Sequence, residues 1–411
     1  MDLMHSDKSR RDLLAIYLAA VDAVNGRRCV SQHLRSRDHF AGDPVYVIAL
    51  GKAATTMVSG AADELGERIV DAFIVTKTGY AEPLPWPVHE GGHPVPDQSS
   101  LESGKALESF VRKIPVAAAV LVLLSGGASA VVESLADDVG PGQLVRLNQW
   151  LLASGLTISQ CNSLRKRLSR IKAGGLAQWL QPRRVVTLVI SDVAGDDPAV
   201  IGSGPMTGSA VDSFNVDLAD KLPEDIRRLL TRSIPVNAEP PSSPYYVVAN
   251  LEQACEAAVA KAEQLGYRAV YHEKELLDDV DIVARDIVGG LESLLPNSVF
   301  VSGGEPTVEL PANPGRGGRC QHVALSVAHH IKPGSGIMFL AGATDGSDGP
   351  GTDAGALVDE NTIRKMEQEG VNADRVLLMA DSGSALGKAG DLISTGPTGT
   401  NVRDLFIGIR R

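Results

Sequence analysis

The sequence predicts an α/β protein of two domains. Its 411 residues correspond to two or three domains at roughly 100–200 residues each. Short aliphatic runs bounded by glycine alternate with segments of helical periodicity, an order that produces crossover connections and a largely parallel sheet. A segment with four prolines, Ser233–Pro244, divides the chain. We therefore expect a Rossmann-like parallel-sheet domain over residues 1–236 and a smaller mixed α/β domain over residues 237–411.

The predicted strands are continuous aliphatic runs, which indicates sheets that are covered on both faces. They are Val45–Leu50, Phe73–Thr76, Val120–Leu124, Val185–Ile190, Tyr245–Ala249, Arg268–Tyr271, Val299–Ser302, Ile337–Ala341 and Leu405–Gly408. Helical periodicity predicts helices between most of these strands. They are Leu13–Val24, Ala53–Leu65, Ser99–Lys113, Gln143–Ala153, Leu251–Leu265 and Asp279–Leu294.

Composition excludes several classes of protein. Hydrophobic residues make up 44% and charged residues 22%, as in ordinary globular proteins. The net charge of -11 argues against nucleic-acid binding, and no basic amphipathic run indicates a membrane surface. Four scattered cysteines without a C-x-x-C pair argue against a disulfide framework or structural zinc. The first residues contain no signal-peptide pattern, so we expect a cytoplasmic protein.

Polar, glycine-rich segments follow five of the predicted strands. They are Leu50–Ala53, Leu124–Ser129, Ile190–Asp197, Ser302–Thr307 and Ala341–Gly349. Parallel sheets bind ligands beyond the carboxyl ends of their strands. Because these five ends are split between the two halves of the chain, we expect the active site in a cleft between the two domains.

Two of these segments suit an anionic ligand. In Ser125-Gly126-Gly127-Ala128-Ser129, adjacent glycines allow close approach of the backbone, and the following helix start offers unpaired N–H groups. The alternative is a tight turn without a ligand. Lys52 precedes a predicted helix, where the dipole disfavours a cation. It is therefore either a partner for an anion or a solvated surface lysine.

Two groups of aspartates follow predicted strands. Asp192, Asp196 and Asp197 form the first group, and Asp345, Asp348 and Asp353 form the second. Carboxylates of this kind suit Mg²⁺, which takes one or two of them and keeps several waters. Helix capping and turn formation are the alternative explanations.

Further candidates stand outside these groups. Arg316 and Arg319 lie among glycines before a predicted helix, where they could contact a phosphate or a carboxylate or belong to a mobile surface loop. His93, in a proline-rich turn, could contact a ligand but is more often structural in such a position. The sequence contains no P-loop, no G-x-G-x-x-G and no H-E-x-x-H pattern.

Eight segments in order resemble the class II glycerate 2-kinase family, whose C-terminal half is known as the MOFRL domain. They are GKAA, GGHPVPD, LLSGGASA, NSLRKRLSRIKAGGLA, ISDVAGDDPAVIGSGP, SGGEPTVEL, GRGGRCQHVAL and AGATDGSDGPGTDAGALVD. The resemblance extends from about Leu13 to the end of the sequence. Members of this family are sometimes named hydroxypyruvate reductases.

The resemblance implies transfer of the γ-phosphate of ATP to the 2-hydroxyl of D-glycerate, with Mg²⁺ or another divalent cation. It implies catalytic roles for Lys52, Arg319 and Asp192. The implied nucleotide contacts are Ser125, Gly126, Gly127, Ser129, Lys166 and Glu305. The implied metal ligands are Asp192, Asp197, Asp345 and Asp353. The expected partners are small-molecule substrates, and the expected oligomer is a homodimer.

The sequence departs from the family pattern at several positions. Cys320 and His322 follow Arg319 where most relatives have asparagine and glutamate, Gln160 replaces an acid, and Met206 replaces a threonine. The departures leave a kinase of another hydroxy acid open as an alternative. A nicotinamide-dependent hydroxypyruvate reductase and a binding or regulatory protein without activity are two further alternatives.

Overall fold

The computed structural model describes residues 2–137, 139–154, 156, 158–208, 222–231 and 243–411. The chain forms two compact units, each containing a six-stranded sheet. The unit Cys29–Val248, called the parallel unit here, is continuous in sequence. The other, called the mixed unit, joins Met1–Arg28 to Ala249–Arg411.

This division differs from the predicted one in two places. The boundary lies between Val248 and Ala249 rather than after residue 236, and residues 1–28 belong with the C-terminal part of the chain. Most of the predicted breaker, Ser233–Pro244, lies outside the described residues; only Ser243 and Pro244 are described.

The sheet of the parallel unit has the order β3-β2-β1-β4-β5-β6. Its strands are β1 Val45–Leu50, β2 Ile69–Lys77, β3 Val88–Gly91, β4 Ala119–Leu124, β5 Arg184–Ile190 and β6 Tyr245–Ala249. The pairs β2–β3, β1–β2, β1–β4 and β4–β5 are parallel. All six residues of β4 are buried, and each buried aliphatic side chain contributes about 1.5–3 kcal/mol. The predicted Rossmann-like parallel sheet is confirmed, and its strand order reverses between β1 and β4.

The sheet of the mixed unit has the order β11-β10-β9-β12-β8-β7. Its strands are β7 Arg268–Tyr271, β8 Ser298–Gly304, β9 Ile337–Ala343, β10 Gly355–Asp359, β11 Leu392–Ile393 and β12 Asp404–Arg410. Only β7 and β8 pair in parallel among the described pairings. The predicted mixed α/β domain is confirmed: β10 returns from β9 without a crossover helix, and β12 lies antiparallel between β8 and β9.

The helices mostly separate the strands, as the periodicity predicts. The described helices are α1 Asp2–Ala23, α2 Gly26–Ser36, α3 Ala54–Leu65, α4 Gln98–Lys113, α5 Ala128–Val131, α6 Pro141–Ala153, α7 Ile158–Arg167, α8 Gly175–Trp179, α9 Glu224–Thr231, α10 Leu251–Gln264, α11 Val280–Ser293, α12 Arg319–His330, α13 Thr362–Gln368, α14 Ala373–Leu378 and α15 Ser382–Ala389. Asp97 and Asn250 are the N-cap residues of α4 and α10. The side chain of each accepts a hydrogen bond from a backbone N–H in the first turn of its helix. None of the helices described here is both long and apolar enough to span a membrane.

Helix α1 packs within the mixed unit. Tyr17 is fully buried, and its hydroxyl donates to the carbonyl of Ala343 at 2.7 Å. Arg10 donates to the carboxylates of Asp359 and Asp391 at 2.7 and 2.8 Å. These contacts, between residues more than 300 positions apart, explain why the first residues belong to the C-terminal part of the fold.

Candidate active site

The turns after β1 and β4 are bonded to each other where the parallel sheet reverses its order. The amide of Lys52 donates to the carbonyl of Gly126 at 2.9 Å, and the amide of Ala53 donates to Oγ of Ser125 at 3.0 Å. Gly51 has a φ of +118°, and a Cβ there would lie 2.4 Å from the carbonyl oxygen of Ser125. The glycine thus allows two strand ends to meet where doubly wound sheets bind their ligands.

Lys52 and His93 flank Gly127. A Cβ on this glycine would lie 3.2 Å from Cγ of Lys52 and 3.1 Å from Cδ2 of His93, and its φ of +84° also favours glycine. The sequence reasoning gave His93 more weight as a structural residue, whereas the structure brings it to the same turn as Lys52. The side chains of a lysine and a histidine therefore lie against the glycine turn predicted to bind phosphate.

The remaining residues predicted to contact the nucleotide in this unit hold loops together. Ser129 and Ser203 place their hydroxyl oxygens 2.9 Å apart. Lys166 donates from Nζ to the carbonyl of Ala199 at 2.9 Å. Ser125 is fully buried, with its hydroxyl bonded as described above. These bonds connect the glycine turn and the end of α7 to the loop that follows β5.

The acidic loop after β5 is partly exposed. Asp197 is exposed and accepts the amide of Ala199 on Oδ1 at 2.9 Å, and Asp192 is half-buried. Burial, and then the charges of Asp197 and Asp196, raise the pKa of Tyr245 above its ordinary value. The loop therefore provides carboxylates at the carboxyl end of a strand next to β4.

Arg319 is the centre of the candidate site in the mixed unit. Its Nε donates to Oδ2 of Asp404 at 2.6 Å, and its Nη1 donates to Oε1 of Glu305 at 2.9 Å. Burial alone would lower the pKa of Arg319, but Asp404 and Glu305 outweigh burial and raise it. The side chain of Asp404 is 3% exposed and that of Arg319 is 30% exposed, so a buried carboxylate holds a cation that solvent reaches.

The register of the sheet explains this arrangement. Asp404 is the first residue of β12 and lies opposite Gly304 and Ala343, the last residues of β8 and β9. Glu305 follows β8 directly, and Arg319 begins α12. The amino end of one strand therefore contributes its carboxylate between the carboxyl ends of its two neighbours.

Asp348 holds the first turn of α12. Its Oδ1 and Oδ2 accept the amides of Cys320 and Gln321 at 2.9 and 2.7 Å. Burial, and then the charge of Asp404, raise the pKa of Asp348 to about 7, although the two amides favour the charged form. This carboxylate fixes the direction in which Arg319 leaves the helix.

The two predicted metal ligands of this unit make local contacts. Asp353 accepts from Arg316 at 2.6 Å and from the hydroxyl of Ser394 at 2.7 Å. Asp345 accepts the amide of Ser347 at 3.0 Å. Within the described part of the chain, no three His, Cys, Asp or Glu side chains converge as metal ligands do.

The residues that depart from the family pattern are neutral or exposed. Burial raises the pKa of the Cys320 thiol well above its ordinary value, so the thiol stays protonated. Burial lowers the pKa of His322, although Asp281 and Asp279 oppose this shift. Met206 is buried in the core, and Gln160 is exposed.

Sequence reasoning missed Asp404 and gave Asp348 no separate role. Asp404 precedes the predicted strand Leu405–Gly408, whereas the aspartates expected in the site follow predicted strands. The one available signal was an acidic residue at the edge of a buried aliphatic run. Asp348 was visible as part of an acidic cluster, but its bonds to α12 depend on tertiary structure.

The chain is similar to known proteins along nearly its whole length. Residues 12–231 match a domain of unknown function (DUF4147), and residues 298–404 match the MOFRL family. The D-glycerate 2-kinase of Thermotoga maritima is 32% identical over 414 residues, which cover 96% of this chain and 97% of that protein. The glycerate 2-kinase of Pyrococcus horikoshii is 34% identical over 386 residues, covering 89% and 87% of the two chains.

A solved structure shows the same fold. The crystal structure of the glycerate kinase of Thermotoga maritima matches with a TM-score of 0.82 and 32% identity, covering 98% of this chain and 100% of that one. Sequence, domain order and fold thus agree, and the chain belongs to the glycerate 2-kinase family of MOFRL-domain proteins.

Proposed function

We propose that this protein transfers the γ-phosphate of ATP to the 2-hydroxyl of D-glycerate. The observation that carries the proposal is the meeting of the β1 and β4 turns at the order reversal, with Lys52 and His93 against Gly127. Its relatives in Thermotoga and Pyrococcus carry the name glycerate 2-kinase. In the reaction, the bond between the hydroxyl oxygen and phosphorus forms while the bond to the ADP oxygen breaks.

Positive charge is the main requirement of this chemistry. Phosphoryl transfer depends on positioning and on stabilising the charge of the phosphoryl oxygens. Lys52 supplies an ammonium at the glycine turn, and Arg319 supplies a guanidinium whose pKa is raised, so it stays charged. The turn Ser125–Ser129 would approach the phosphates, and Lys166 and Glu305 would support the nucleotide through the elements that they contact.

Asp192 is the candidate for proton transfer from the hydroxyl or for metal binding. Mg²⁺ would neutralise phosphate charge, and it prefers one or two carboxylates with several waters. Asp192 and Asp197 fit this requirement because they lie on a partly exposed loop. Asp353 fits less well, since Arg316 and Ser394 already occupy its two oxygens, and Asp345 has one oxygen bonded to Ser347.

A coupled assay of ADP release tests the proposal. Purified protein is supplied with ATP, Mg²⁺ and a panel that includes D-glycerate, L-glycerate and longer hydroxy acids. We expect turnover with D-glycerate and a fall of kcat by roughly 10²–10³ in Lys52→Ala and in Arg319→Ala. If only another acid is turned over, that acid and not D-glycerate is the substrate. If hydroxypyruvate oxidises NADH and no ADP is released, the reaction is a reduction and not a phosphoryl transfer.

Two further expectations concern the protein as a whole. A homodimer is checked by size-exclusion chromatography with light scattering, which separates one from two copies of a 43.2 kDa chain. A cytoplasmic location is checked by fractionating cells of the source organism.

A further inference from the structure

Arg165 is a half-buried cation that lies outside the site described above. It belongs to the last turn of α7 and donates from Nε to Oδ1 of Asn148, on α6, at 3.0 Å. A longer contact of 3.4 Å joins its Nη1 to Oδ1 of Asn162. Both partners are neutral amides, so these bonds fix the guanidinium without neutralising its charge.

No carboxylate of the described residues forms an ion pair with Arg165. The carboxylate of Glu133 is near enough to influence it, but Lys172 binds one oxygen and the hydroxyl of Ser169 binds the other at 2.5 Å. Burial lowers the pKa of Arg165, with Cys161 and Glu133 opposing the shift. A half-buried guanidinium normally has an anion beside it that balances its charge.

Asn148 adds a second observation. Its side chain belongs to a residue that is 2% exposed, and its Nδ2 has no hydrogen-bond partner among the described residues. The bond from Arg165 fixes the orientation of the amide, because only the oxygen can accept it. Unused donors therefore remain on both side chains, and the complementary ligand is an acceptor with negative charge.

The end of α7 is connected to the glycine turn. Lys166 follows Arg165 and donates a hydrogen bond to the carbonyl of Ala199, in the loop that begins after β5. Ser203, in the continuation of that loop, contacts Ser129 of the glycine turn. Arg165 thus lies on a helix end that is bonded to the loop supporting the predicted phosphate site.

We propose that Arg165 and Asn148 bind one oxyanion group of a substrate, either the carboxylate of the hydroxy acid or a phosphate of the nucleotide. This inference rests on the proposed function for the identity of the substrates. Both groups present oxygens in the spacing that a guanidinium binds with two parallel bonds. A bond to a charged group contributes about 1.5–3 kcal/mol, so its loss should weaken binding by roughly 10- to 150-fold.

The test compares Arg165→Met with wild type. We expect the thermal unfolding midpoint to stay constant or rise, because the change removes a desolvated charge without a counterion and keeps an apolar stem. We expect one Michaelis constant to rise by roughly 10- to 150-fold. A rise for D-glycerate alone assigns the carboxylate, and a rise for ATP alone assigns the phosphate. Unchanged constants for both substrates would overturn the proposal.

Two further variants separate binding from structure. Asn148→Asp should pair with Arg165, raise the unfolding midpoint, and weaken the same substrate by repulsion. Arg146→Met is the matched control, since Arg146 lies exposed on α6 and pairs with Asp225; it should change neither Michaelis constant. A lower unfolding midpoint in both Arg165→Met and Asn148→Asp, with unchanged substrate constants, would assign Arg165 a structural role instead.

Calorimetric titration distinguishes failure of this inference from failure of the proposed function. Wild type and Arg165→Met are each titrated with D-glycerate and with ATP, without turnover. If wild type releases no ADP with any acid but binds one of the two compounds more tightly than the variant, the kinase proposal fails and the oxyanion site stands. If both proteins bind both compounds equally, the oxyanion site fails even when wild type is an active kinase.

Discussion

Each unit contains a buried carboxylate that binds a cationic side chain, but the two pairs differ in the solvent exposure of that cation. In the parallel unit, Lys172 and Glu133 are 3% and 2% exposed, so both charges are sealed in the core. In the mixed unit, Asp404 is 3% exposed and its partner Arg319 is 30% exposed. The same kind of pair is therefore sealed in the core of one unit, whereas in the other a buried anion holds a cation that solvent reaches.

The largest effect should come from breaking the sealed pair. Lys172→Met leaves Glu133 buried with only the hydroxyl of Ser169, and loss of one partner of a buried ion pair costs about 3–5 kcal/mol. Urea unfolding followed by tryptophan fluorescence measures this change, because Trp86, Trp150 and Trp179 all belong to the parallel unit. Lys105→Met, at an exposed position, is the control. An equal fall in the free energy of unfolding in both variants would show that the sealed pair of Lys172 and Glu133 makes no special contribution to stability.

Breaking the half-exposed pair should affect activity more than stability. In Asp404→Asn the amide oxygen can still accept from Arg319, but the charge that fixes the guanidinium is lost. We expect kcat/KM in the ADP-release assay to fall by roughly 10- to 100-fold, about 1.4–2.7 kcal/mol.

Glu305→Gln changes the second carboxylate that binds the guanidinium of Arg319. The side chain of Glu305 is 48% exposed. We expect a fall of less than about threefold, because exposed ion pairs contribute little. Equal losses in the two variants would show that burial of Asp404 is irrelevant to its role.

Asp348 of the mixed unit and two histidines of the parallel unit should also respond to pH in opposite directions. The raised pKa of Asp348, about 7, means that the folded protein keeps a proton that the unfolded chain releases near pH 4. The contribution of Asp348 to stability therefore falls as pH rises through this window, whereas His322 and His330 of the same unit, whose pKa values burial lowers, contribute the opposite trend. In the parallel unit, burial lowers the pKa of His33 and of His39, whose Nε2 atoms are 2.9 Å apart. The unfolded chain binds these protons first, so stability falls as pH drops below about 6.5.

Fluorescence and hydrogen exchange separate these two responses. The urea midpoint of the tryptophan signal should be lower at pH 5.5 than at pH 7.5, and His39→Gln should reduce the difference. The gain in exchange protection of peptides from α12 between pH 7.5 and pH 5.5, corrected for the intrinsic pH dependence, should be larger in wild type than in Asp348→Asn, which leaves the histidines of this helix in place. An equal change with pH in wild type and in Asp348→Asn would contradict the assignment to Asp348.

The smallest effect on the free energy of unfolding concerns Ser203, which contacts the glycine turn. Its φ of +66° lies in the left-handed region, at a cost of about 1–2 kcal/mol for a residue with a Cβ. Ser203→Gly removes this strain together with the bond to Ser129, so the free energy of unfolding should change by less than about 1 kcal/mol. We expect kcat/KM to fall by roughly 3- to 10-fold. Ser203→Ala keeps the strain and should be less stable than the glycine variant.

The sequence was sufficient to predict much of the parallel unit. Val45–Leu50 and Tyr245–Ala249 are strands with the predicted bounds, because each run of β-branched, aliphatic or aromatic residues begins after a proline and ends before a glycine or an asparagine. The same reasoning placed Lys52 and the glycine turn after adjacent strand ends. It failed for β10, which follows β9 through a loop without a helix, and for β11, which has only two residues, so their pairing depends on contacts remote in sequence.

The candidate residues follow the same pattern. Lys52 and the Ser125–Ser129 turn could be found because local sequence determines a strand end. Asp404 and the bonds of Asp348 to α12 could not, because the register of β12 and the packing of a loop on a helix are set by tertiary structure. The part of the site built from backbone turns was therefore more predictable than the part built from side-chain pairs.

The packing of α1 in the mixed unit has a consequence for synthesis on the ribosome. Helix α1 leaves the ribosome before either sheet, yet Tyr17 and Arg10 contact Ala343, Asp359 and Asp391. The parallel unit, by contrast, is complete once Val248 has emerged. The apolar face of α1 therefore stays uncovered while the parallel unit is synthesised, and the helix reaches its final place only after the C-terminal part of the chain has been made.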